Sequence, residues 1–587
     1  TGTGAVHTAP GHGADDFETG VKYNLPIINP VNARGVFTAE AGPYAGLHIW
    51  KANPKIVEDL GASGALWDAT EYAHSYPHCW RCHNPVVFRA TAQWFIAMDQ
   101  NRLRARAIEN TRAVEWLPAW GEQRMEQMLQ THPEWCISRQ RTWGTPIPAV
   151  SCSACGESLL DARVARIAAE RFREKGADSW WQDPVQSFLP EGFTCPKCRG
   201  ATFEKEKDIV DIWFESGVTH LAVLGHDGLP WPSDAVLEGP DQYRGWFRSS
   251  LVTATAVKGA APYKRVVKNG WVNDEQGRPM SKSLGTGIDA KDAMQQYGAD
   301  VLRLWTASVE FLDDVRFGPT VLEQVGRVYR NLRNRLRFMV SNLTDLDEPV
   351  TREKFEPLDA VACEVTDRWI GKVRKLFAGY NLHGAYLELV SFESDDLSSF
   401  YFDALKDRLY SSATTAPRRR SAQSALLYIL QQMLSVLAAL LSFTAEEAWQ
   451  AVPDHLRGDR RSVFDLSPAA GHPANARSVA LWNVLKELRQ QVAATQTPRD
   501  FEADASLVQV PEALLRDVQA LGDGLREALV VSDVERIEGK DDLRRVELRN
   551  AKGSKCQRCW KYLELGTDPE HPTLCAPCAE IVRLLER

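Results

Sequence analysis

Apolar and polar positions change their rhythm along the chain. Between about residues 51 and 318, short runs rich in β-branched and aromatic side chains alternate with stretches of helical spacing. Examples are Ile209-Val210-Asp211-Ile212-Trp213-Phe214 and Arg265-Val266-Val267-Lys268-Asn269-Gly270. Runs of this kind suit strands covered on both faces, and their alternation with helices predicts a parallel α/β sheet. After Gly318 apolar residues recur at three and four positions over long stretches, such as Leu322 to Leu343 and Ser421 to Ala451. Little strand signal lies between them, so a helix bundle is expected. The first 50 residues mix Gly, Pro and short β-branched runs such as Val36-Phe37-Thr38, the texture of the end of a β-rich domain. The chain therefore divides into 1–50, an α/β region over 51–318 with an insertion at 150–205, a helical region over 319–483, a mixed segment over 484–545 and a cysteine-rich tail over 546–587.

Length and composition make this multidomain reading stronger. At 587 residues, 44% hydrophobic and 25% charged, the chain can bury several cores. No purely apolar run approaches the roughly 18 residues of a membrane span, and Thr1-Gly2-Thr3-Gly4 is neither a signal segment nor an initiator Met. A cytoplasmic protein without a membrane partner is expected, in a chain that starts mid-protein. The net charge of −8 argues against electrostatic capture of nucleic acid by the whole molecule. Local stripes must carry any such binding: Arg327, Arg330, Arg333, Arg335 and Arg337, with Arg418-Arg419-Arg420 later, can track a phosphate backbone or form a solvated helix face.

Five C-x-x-C pairs account for most of the 12 cysteines. Each pair offers two thiolates to one metal, which favours bound zinc in a reducing compartment over a disulfide framework. Cys152, Cys155, Cys195 and Cys198 sit on the insertion; Cys556, Cys559, Cys575 and Cys578 form a C-x2-C-x15-C-x2-C tail close to zinc-ribbon spacing. Two Zn²⁺ sites are expected from these eight thiols. The pair Cys79 and Cys82 has no third pair to complete it, although His78 and His83 flank it.

Three further constellations can carry chemistry. In Gly270-Trp271-Val272-Asn273-Asp274-Glu275-Gln276-Gly277-Arg278-Pro279-Met280-Ser281-Lys282-Ser283-Leu284-Gly285, a strand leads through a Gln-Gly turn into a small-residue loop. A Lys so placed can neutralise charge developing on triphosphate oxygens, while small neighbours let phosphates approach backbone N–H groups. By composition alone it is equally a piece of solvated surface. In Leu237-Glu238-Gly239-Pro240-Asp241-Gln242-Tyr243-Arg244-Gly245-Trp246-Phe247, preceded by Asp211-Ile212-Trp213-Phe214-Glu215-Ser216-Gly217, two tryptophans and a phenylalanine can shape an apolar slot. Glu238, Asp241 and Gln242 add acceptors for an ammonium and ribose hydroxyls, or are surface acids beside ordinary aromatic core. The string Thr1-Gly2-Thr3-Gly4-Ala5-Val6-His7-Thr8-Ala9-Pro10-Gly11-His12-Gly13-Ala14-Asp15-Asp16-Phe17 sets two histidines and two carboxylates on a Gly-rich turn, which suits a metal or acid/base site or a plain turn.

The loop at Met280 to Ser283, followed by Tyr297-Gly298-Ala299-Asp300-Val301-Leu302-Arg303, resembles the K-M-S-K-S region of class I aminoacyl-tRNA synthetases of the isoleucyl, valyl and leucyl subgroup. Within Trp135-Cys136-Ile137-Ser138-Arg139-Gln140-Arg141-Thr142-Trp143-Gly144-Thr145-Pro146-Ile147-Pro148, Arg141 and Thr145 point to the isoleucyl branch. The likeness runs through essentially the whole chain. It implies a partial Rossmann-like catalytic domain over 51–318, a remnant of a β-rich editing domain over 1–50, an α-helical anticodon-binding bundle over 319–483, a C-terminal junction and zinc-ribbon modules.

The resemblance also implies residue roles. Lys282, with Met280, Ser281 and Ser283, would stabilise the activation transition state; Glu238, Gly239, Asp241 and Gln242 would lie near the adenylate, and Trp213 and Trp246 near an aliphatic side chain. The position of Asp16 would hold the ammonium of a mischarged amino acid, with His7 nearby. The implied substrates and partners are ATP with Mg²⁺, L-isoleucine and tRNA(Ile), handled by a monomer. Because an apolar pocket separates isoleucine from valine by only ~10- to 200-fold, hydrolytic editing of valine is implied too.

Two departures temper these expectations. Pro279 stands where the signature has its first Lys, and no two of the 13 histidines are three residues apart, so an H-x-G-H pair is missing. In this family that motif and a Thr-rich editing strand lie upstream, so the chain reads as an N-terminally truncated fragment, inactive alone. The alternatives at this level are a non-catalytic tRNA-binding zinc protein and a valyl-tRNA synthetase.

Overall fold

The structure, a computed structural model, describes residues 4–79, 82–280, 287–468, 475–495 and 501–586. Ser281, Lys282 and Ser283 lie outside the described residues. The chain forms two compact units. One comprises Thr1–Val114, Glu122–Ser233 and Tyr243–Lys264; the other comprises Glu115–Gly121, Asp234–Gln242 and Arg265–Arg587.

In the first unit the opening residues hold a helix, Ala14–Tyr23, and isolated bridges Val31–Phe37 and Val36–His48. The run at Val36 is thus a bridge rather than a strand, because the Asn32 side chain accepts from Arg34 and Val36 N–H groups and folds the backbone into a tight turn. The helix Trp246–Lys258 buries Phe247, Leu251, Val252 and Ala254 and packs beside Leu103–Arg112. Arg106 donates to Thr255 O at 2.8 Å and Asn110 to Thr255 Oγ1 at 2.9 Å, which joins the two helices by hydrogen bonds.

The strand expected over Ile209 to Phe214 is shorter than the apolar run. Ile209–Val210 pairs antiparallel with Ser138–Arg139, and Ile212–Gly217 is a helix. Asp211 turns the chain: its N–H donates to Ile137 O, its carboxylate takes Trp135 Nε1 at 3.3 Å and pairs with Arg139 at 3.2 Å, and its carbonyl starts the helix by accepting from Phe214 and Glu215. An apolar run cannot distinguish a strand from a buried helix by periodicity, and here a tertiary anchor decides.

His220, 2% exposed, is held between Thr253 Oγ1 at Nε2 (3.1 Å) and the Trp231 indole N–H at Nδ1 (3.5 Å). Burial, then the Lys258 charge, lowers its pKa below 6.5. The folded state therefore binds fewer protons than the unfolded chain, so stability present at pH 7.5 falls as the pH drops below ~6.5. Urea unfolding of wild type and His220→Gln between pH 7.5 and 5.5 checks this: a variant with the same pH slope as wild type would remove His220 from the account.

The insertion is a three-stranded antiparallel sheet, with Val150–Cys152 between Ser158–Leu159 and Phe203–Lys205. Helix Ala162–Lys175 follows, its start capped by Asp161, which accepts from Arg163 N. Trp180 and Phe188, ring centroids 4.7 Å apart, form a core of its own with Val164, Ala168 and Phe203.

The second unit contains the expected parallel sheet. Arg265–Lys268 is the central strand, with Glu115–Leu117 on one side and Val236–Glu238 on the other. Val266 and Val267 are fully enclosed, which explains the run of consecutive apolar residues. The helical region follows with Pro319–Ser341, Pro357–Ala378, Leu382–Ser391, a π-helical turn at Phe392–Tyr401, Phe402–Ser411 and Pro417–Leu440.

The stretch expected as one helix over Ser421 to Ala451 is broken at Leu441, where φ is −116° and ψ 61°, and resumes as Ser442–Gln450. Among the described residues Pro417–Leu440 alone is long and apolar enough to cross a membrane, yet 72% of its most apolar window is buried. Its apolar character all round is that of the central helix in the bundle. Helix Ala476–Ala494 then leads to a sheet in which Ala503–Val510 pairs parallel with Ile537–Gly539 and antiparallel with Arg545–Asn550. The tail adds the hairpin Ser554–Lys555/Tyr562–Leu563 and helix Ala576–Leu585.

Candidate functional site

Glu238 ends its parallel strand, and Gly239, Asp241 and Gln242 follow at the carboxyl edge of the sheet, where open α/β sheets bind ligands. Glu238 O accepts from Asn269 N at 3.0 Å, Gln242 N–H turns back to Gly239 O at 3.2 Å, and the Gln242 amide donates to Asp241 at 3.1 Å. The sheet register sets Lys268 opposite Glu238. Sequence reasoning passed over this lysine: it is 7% exposed, donates to Leu312 O at 2.5 Å and lies 5.4 Å from the centre of the Trp120 ring. A cation at the end of an apolar strand was the available signal.

The approach to Met280 is built by Asp274, another residue the sequence reading did not single out. Its carboxylate accepts from Gln276 N and Arg278 N and pairs with the Arg278 guanidinium at 2.8 Å. The backbone N–H of Arg278 leads the interactions that hold the Asp274 carboxyl below its ordinary value. Gly277 takes φ +80°, which glycine adopts without strain, so the Asp-x-x-Gly turn is the local reason the strand reverses before Pro279. Met280 is half-buried and packs on the helical core.

In the first unit, helix Ile212–Gly217 packs on helix Trp246–Lys258, and Trp246 Nε1 donates to Ser216 O at 2.9 Å. This fixes the Trp246 ring, while Trp213 remains 38% exposed. At the N-terminal string, Asp16 accepts from Ala9 N at 3.0 Å and His12 Nδ1 lies 3.0 Å from Phe88 O; His7 is exposed. A cleft of about 290 Å³ nearby is lined by Pro10, Gly13, Phe17, Phe88 and Gln93. The carboxylate thus braces the turn.

Both sets of four cysteines converge. In each set the sulfurs lie within 4.8 Å of one another. Cys152–Cys198 is 3.5 Å, Cys155–Cys195 3.7 Å and Cys559–Cys575 3.8 Å. A tetrahedron with Zn–S bonds of about 2.3 Å has edges of about 3.8 Å, so both sets fit closed tetrahedral zinc. All eight are free thiols, and the spacing far exceeds a disulfide bond. The Cys578 thiol, by hydrogen bonding, pulls Cys559 down to about 5; burial opposes ionisation of Cys152, but the N–H groups of Ala154 and Cys155 and the Cys198 and Cys155 thiols together outweigh it and bring it to about 7. In each cluster one thiol is thus drawn toward thiolate while a neighbour is held as the thiol: burial first, then the Cys559 charge, pushes Cys575 up to about 11, and, despite the Glu157 N–H, Cys155 is pushed up to about 12 beside Cys198. Cys79 and Cys82 join no such group among the described residues.

A parallel sheet with polar residues at its carboxyl edge and a helical bundle in one unit, with a four-thiol knuckle in each unit, define a multidomain α/β and helical protein whose knuckles fit zinc. The family described as tRNA synthetases class I (I, L, M and V) matches residues 21–318, the anticodon-binding domain of tRNA ligase 359–510, and the zinc finger found in FPG and IleRS 553–581. The chain belongs to the class I tRNA synthetases of this group. It is 44% identical over 99% of its length to a protein of Fervidobacterium pennivorans named isoleucine--tRNA ligase, and 42% identical over 99% to one of Kosmotoga olearia with the same name. The chain spans about 65% of the length of these relatives. Among solved structures, methionyl-tRNA synthetase of Mycobacterium tuberculosis in complex with methionyl-adenylate is 15% identical, with 68% of this chain and 70% of that chain covered and a TM-score of 0.46.

Proposed function

We propose that this chain supplies much of an isoleucine-tRNA ligase, which joins isoleucine to ATP as an adenylate, releasing pyrophosphate, and passes the acyl group to a terminal hydroxyl of tRNA(Ile). The observation that carries the reading is identity of 44% and 42% to isoleucine--tRNA ligases along nearly the entire chain.

In this reading Glu238, Gly239, Asp241 and Gln242 bind the adenylate at the sheet edge, and Trp213 and Trp246 line the aliphatic side chain. Lys282, within Met280-Ser281-Lys282-Ser283, meets the triphosphate, which arrives with Mg²⁺ to offset part of its charge. Catalysis is positioning plus electrostatic stabilisation of in-line attack. Residues 51–318 form the catalytic region and 319–483 bind tRNA, with the two zinc modules as structural supports. Asp16 and His7 belong to a site that hydrolyses mischarged valine. The eight grouped thiols suit a reducing, cytoplasmic setting, and the protein acts as a monomer.

Isoleucine-dependent ATP–pyrophosphate exchange by the full-length protein tests the reading, with aminoacylation of purified tRNA(Ile) and tRNA(Val) as the second measurement. Exchange and charging should favour isoleucine. Preferential charging with valine would overturn the assignment. Lys282→Ala should lower kcat for exchange by about 10²- to 10³-fold, the range for removing one donor to developing negative charge. Retention of wild-type kcat would take Lys282 out of the chemistry.

A further inference from the structure

The segments on either side of Met280-Ser281-Lys282-Ser283 are fastened to the helical region at both ends. Before it, the chain from Gly270 to Asn273 is zipped to 311–317: Gly270 N donates to Phe311 O, Val315 N to Trp271 O and Phe317 N to Asn273 O, all at 2.8–2.9 Å. Glu275 then places its carboxylate at the start of helix Pro319–Ser341, accepting from Thr320 N at 2.8 Å. This satisfies one of the N–H groups left open at a helix start and sets a negative charge on the positive end of a 23-residue helix. Gly318 leaves the space for it, since a Cβ there would stand 2.3 Å from Glu275 Cγ.

After the loop, helix Ala299–Ser308 reaches the break at Leu441 with two charges one turn apart. Asp300, 5% exposed, accepts from Thr444 N at 2.7 Å and Thr444 Oγ1 at 2.6 Å, at the start of Ser442–Gln450. Arg303 donates to Leu440 O at 2.8 Å and Ala439 O at 2.7 Å, at the end of Pro417–Leu440. The acid thus meets the positive end of one helix and the base the negative end of the other. Tyr329, on helix Pro319–Ser341, hydrogen-bonds Thr444 Oγ1 at 2.9 Å and links the two anchorages. Met280 and Ile288 both pack against the same helical core.

We propose that Glu275, Asp300 and Arg303 are positioning residues that fasten both ends of the stretch 276–299 to the helical region, so that the placement of those helices sets the reach of Lys282 toward a triphosphate. The proposal rests on the reading of that stretch as the ATP-handling loop. None of the three residues is required to touch substrate. Their action is to hold the two ends of the stretch at a set place on the bundle.

The test uses the full-length protein with Glu275→Ala, the conservative Glu275→Gln, which keeps an acceptor for Thr320 N, and Asp300→Asn. Two measurements are made: hydrogen exchange of amides in 272–280 and 287–298, and KM and kcat in isoleucine-dependent ATP–pyrophosphate exchange. Loss of a cap of this kind corresponds to roughly three- to thirty-fold in a local equilibrium. Glu275→Ala and Asp300→Asn should therefore speed exchange of those amides and raise KM for ATP within that range, with KM for isoleucine and the thermal midpoint little changed. Glu275→Gln should recover most of the loss. Unchanged amide protection in both variants would overturn the proposal, as would a parallel rise in KM for both substrates with a fall in thermal midpoint, which marks general loosening. A wild-type protein without isoleucine-dependent exchange would refute the functional reading, and the amide protection then decides whether the anchors exist.

Discussion

Removal of zinc should release residues 553–586 as an unfolded peptide while the helical region keeps its structure. The enclosed core of the tail is little more than Cys556, Cys559, Cys575 and Cys578, with Leu563, Leu565 and Leu574 packed on it. Ordering costs about 1.5 kcal/mol per residue, far more than so small a core returns. Structural zinc in small domains contributes about 10–16 kcal/mol of apparent binding energy, which is the term able to close the gap. The tail docks on its neighbours through Lys561 to Asp407, Arg558 to Ser411 O, and Tyr562 N to Ser532 Oγ at 2.9 Å, a polar set that presupposes a folded tail.

A chelator, or Cys556→Ser, should thus abolish amide protection over the tail and shift the emission of Trp560. The insertion should respond less, because Trp180 and Phe188 provide an aromatic core beside its thiols. Metal analysis should give two zinc ions per chain before treatment. Persisting protection of the tail in metal-free protein would defeat the account.

Asp359→Ala should destabilise the helical region by about 3–5 kcal/mol, the cost of stranding a buried charge. Asp359 is fully buried on helix Pro357–Ala378 and gathers four donors: Arg408 Nη1 at 2.8 Å and Nη2 at 3.0 Å, Tyr401 OH at 2.8 Å and Ser421 Oγ at 2.5 Å. Arg408, 1% exposed, also faces Glu527 at 3.1 Å, which in turn meets Arg418 at 2.9 Å. Burial raises the Glu527 carboxyl above its ordinary value despite these two guanidinium groups. Without Asp359 the guanidinium keeps one reluctant counter-ion and two hydroxyls lose their acceptor.

Urea unfolding followed by helical circular dichroism reads the loss directly. Adding Arg408→Met to Asp359→Ala should restore part of it, since the stranded cation is then gone. A loss below about 1 kcal/mol for Asp359→Ala would show that the cluster is dispensable. The cluster joins Pro357–Ala378, Phe402–Ser411, Pro417–Leu440 and Asp523–Leu529, so its loss should be felt across the unit as a whole.

Much of this protein is written locally. The consecutive apolar residues of Arg265–Lys268 report a strand covered on both faces, and the i, i+3, i+4 rhythm after Gly318 reports helices. Four of the five C-x-x-C pairs report candidate metal sites because two thiols at that spacing can face one ion, and the eight predicted thiols converge in two groups. The Lys282 loop was recognisable as a family signature, whereas the strand Val236–Glu238 that carries the polar residues of Leu237 to Phe247 was not singled out. Local pattern suffices in these places because the physical requirement is itself local: a face to bury, or two ligands for one ion.

Other features depend on partners far away in sequence. The helix at Ile212–Gly217 begins where Asp211 finds Trp135 and Arg139, some 70 residues earlier, and no reading of the run Ile209 to Phe214 contains them. The break at Leu441 is sealed by Asp300 and Arg303, more than 130 residues away, which cap helix ends that the apolar rhythm alone would have joined. Asp359, Arg408 and Glu527 look like surface charges until the fold buries them together. The sequence by itself determined the order of the main regions, the two groups of thiols and the family. Tertiary structure decided where helices stop, which charges are buried and what holds the ends of the Lys282 loop, because ion pairs and caps form between groups that only the folded chain brings within hydrogen-bonding distance.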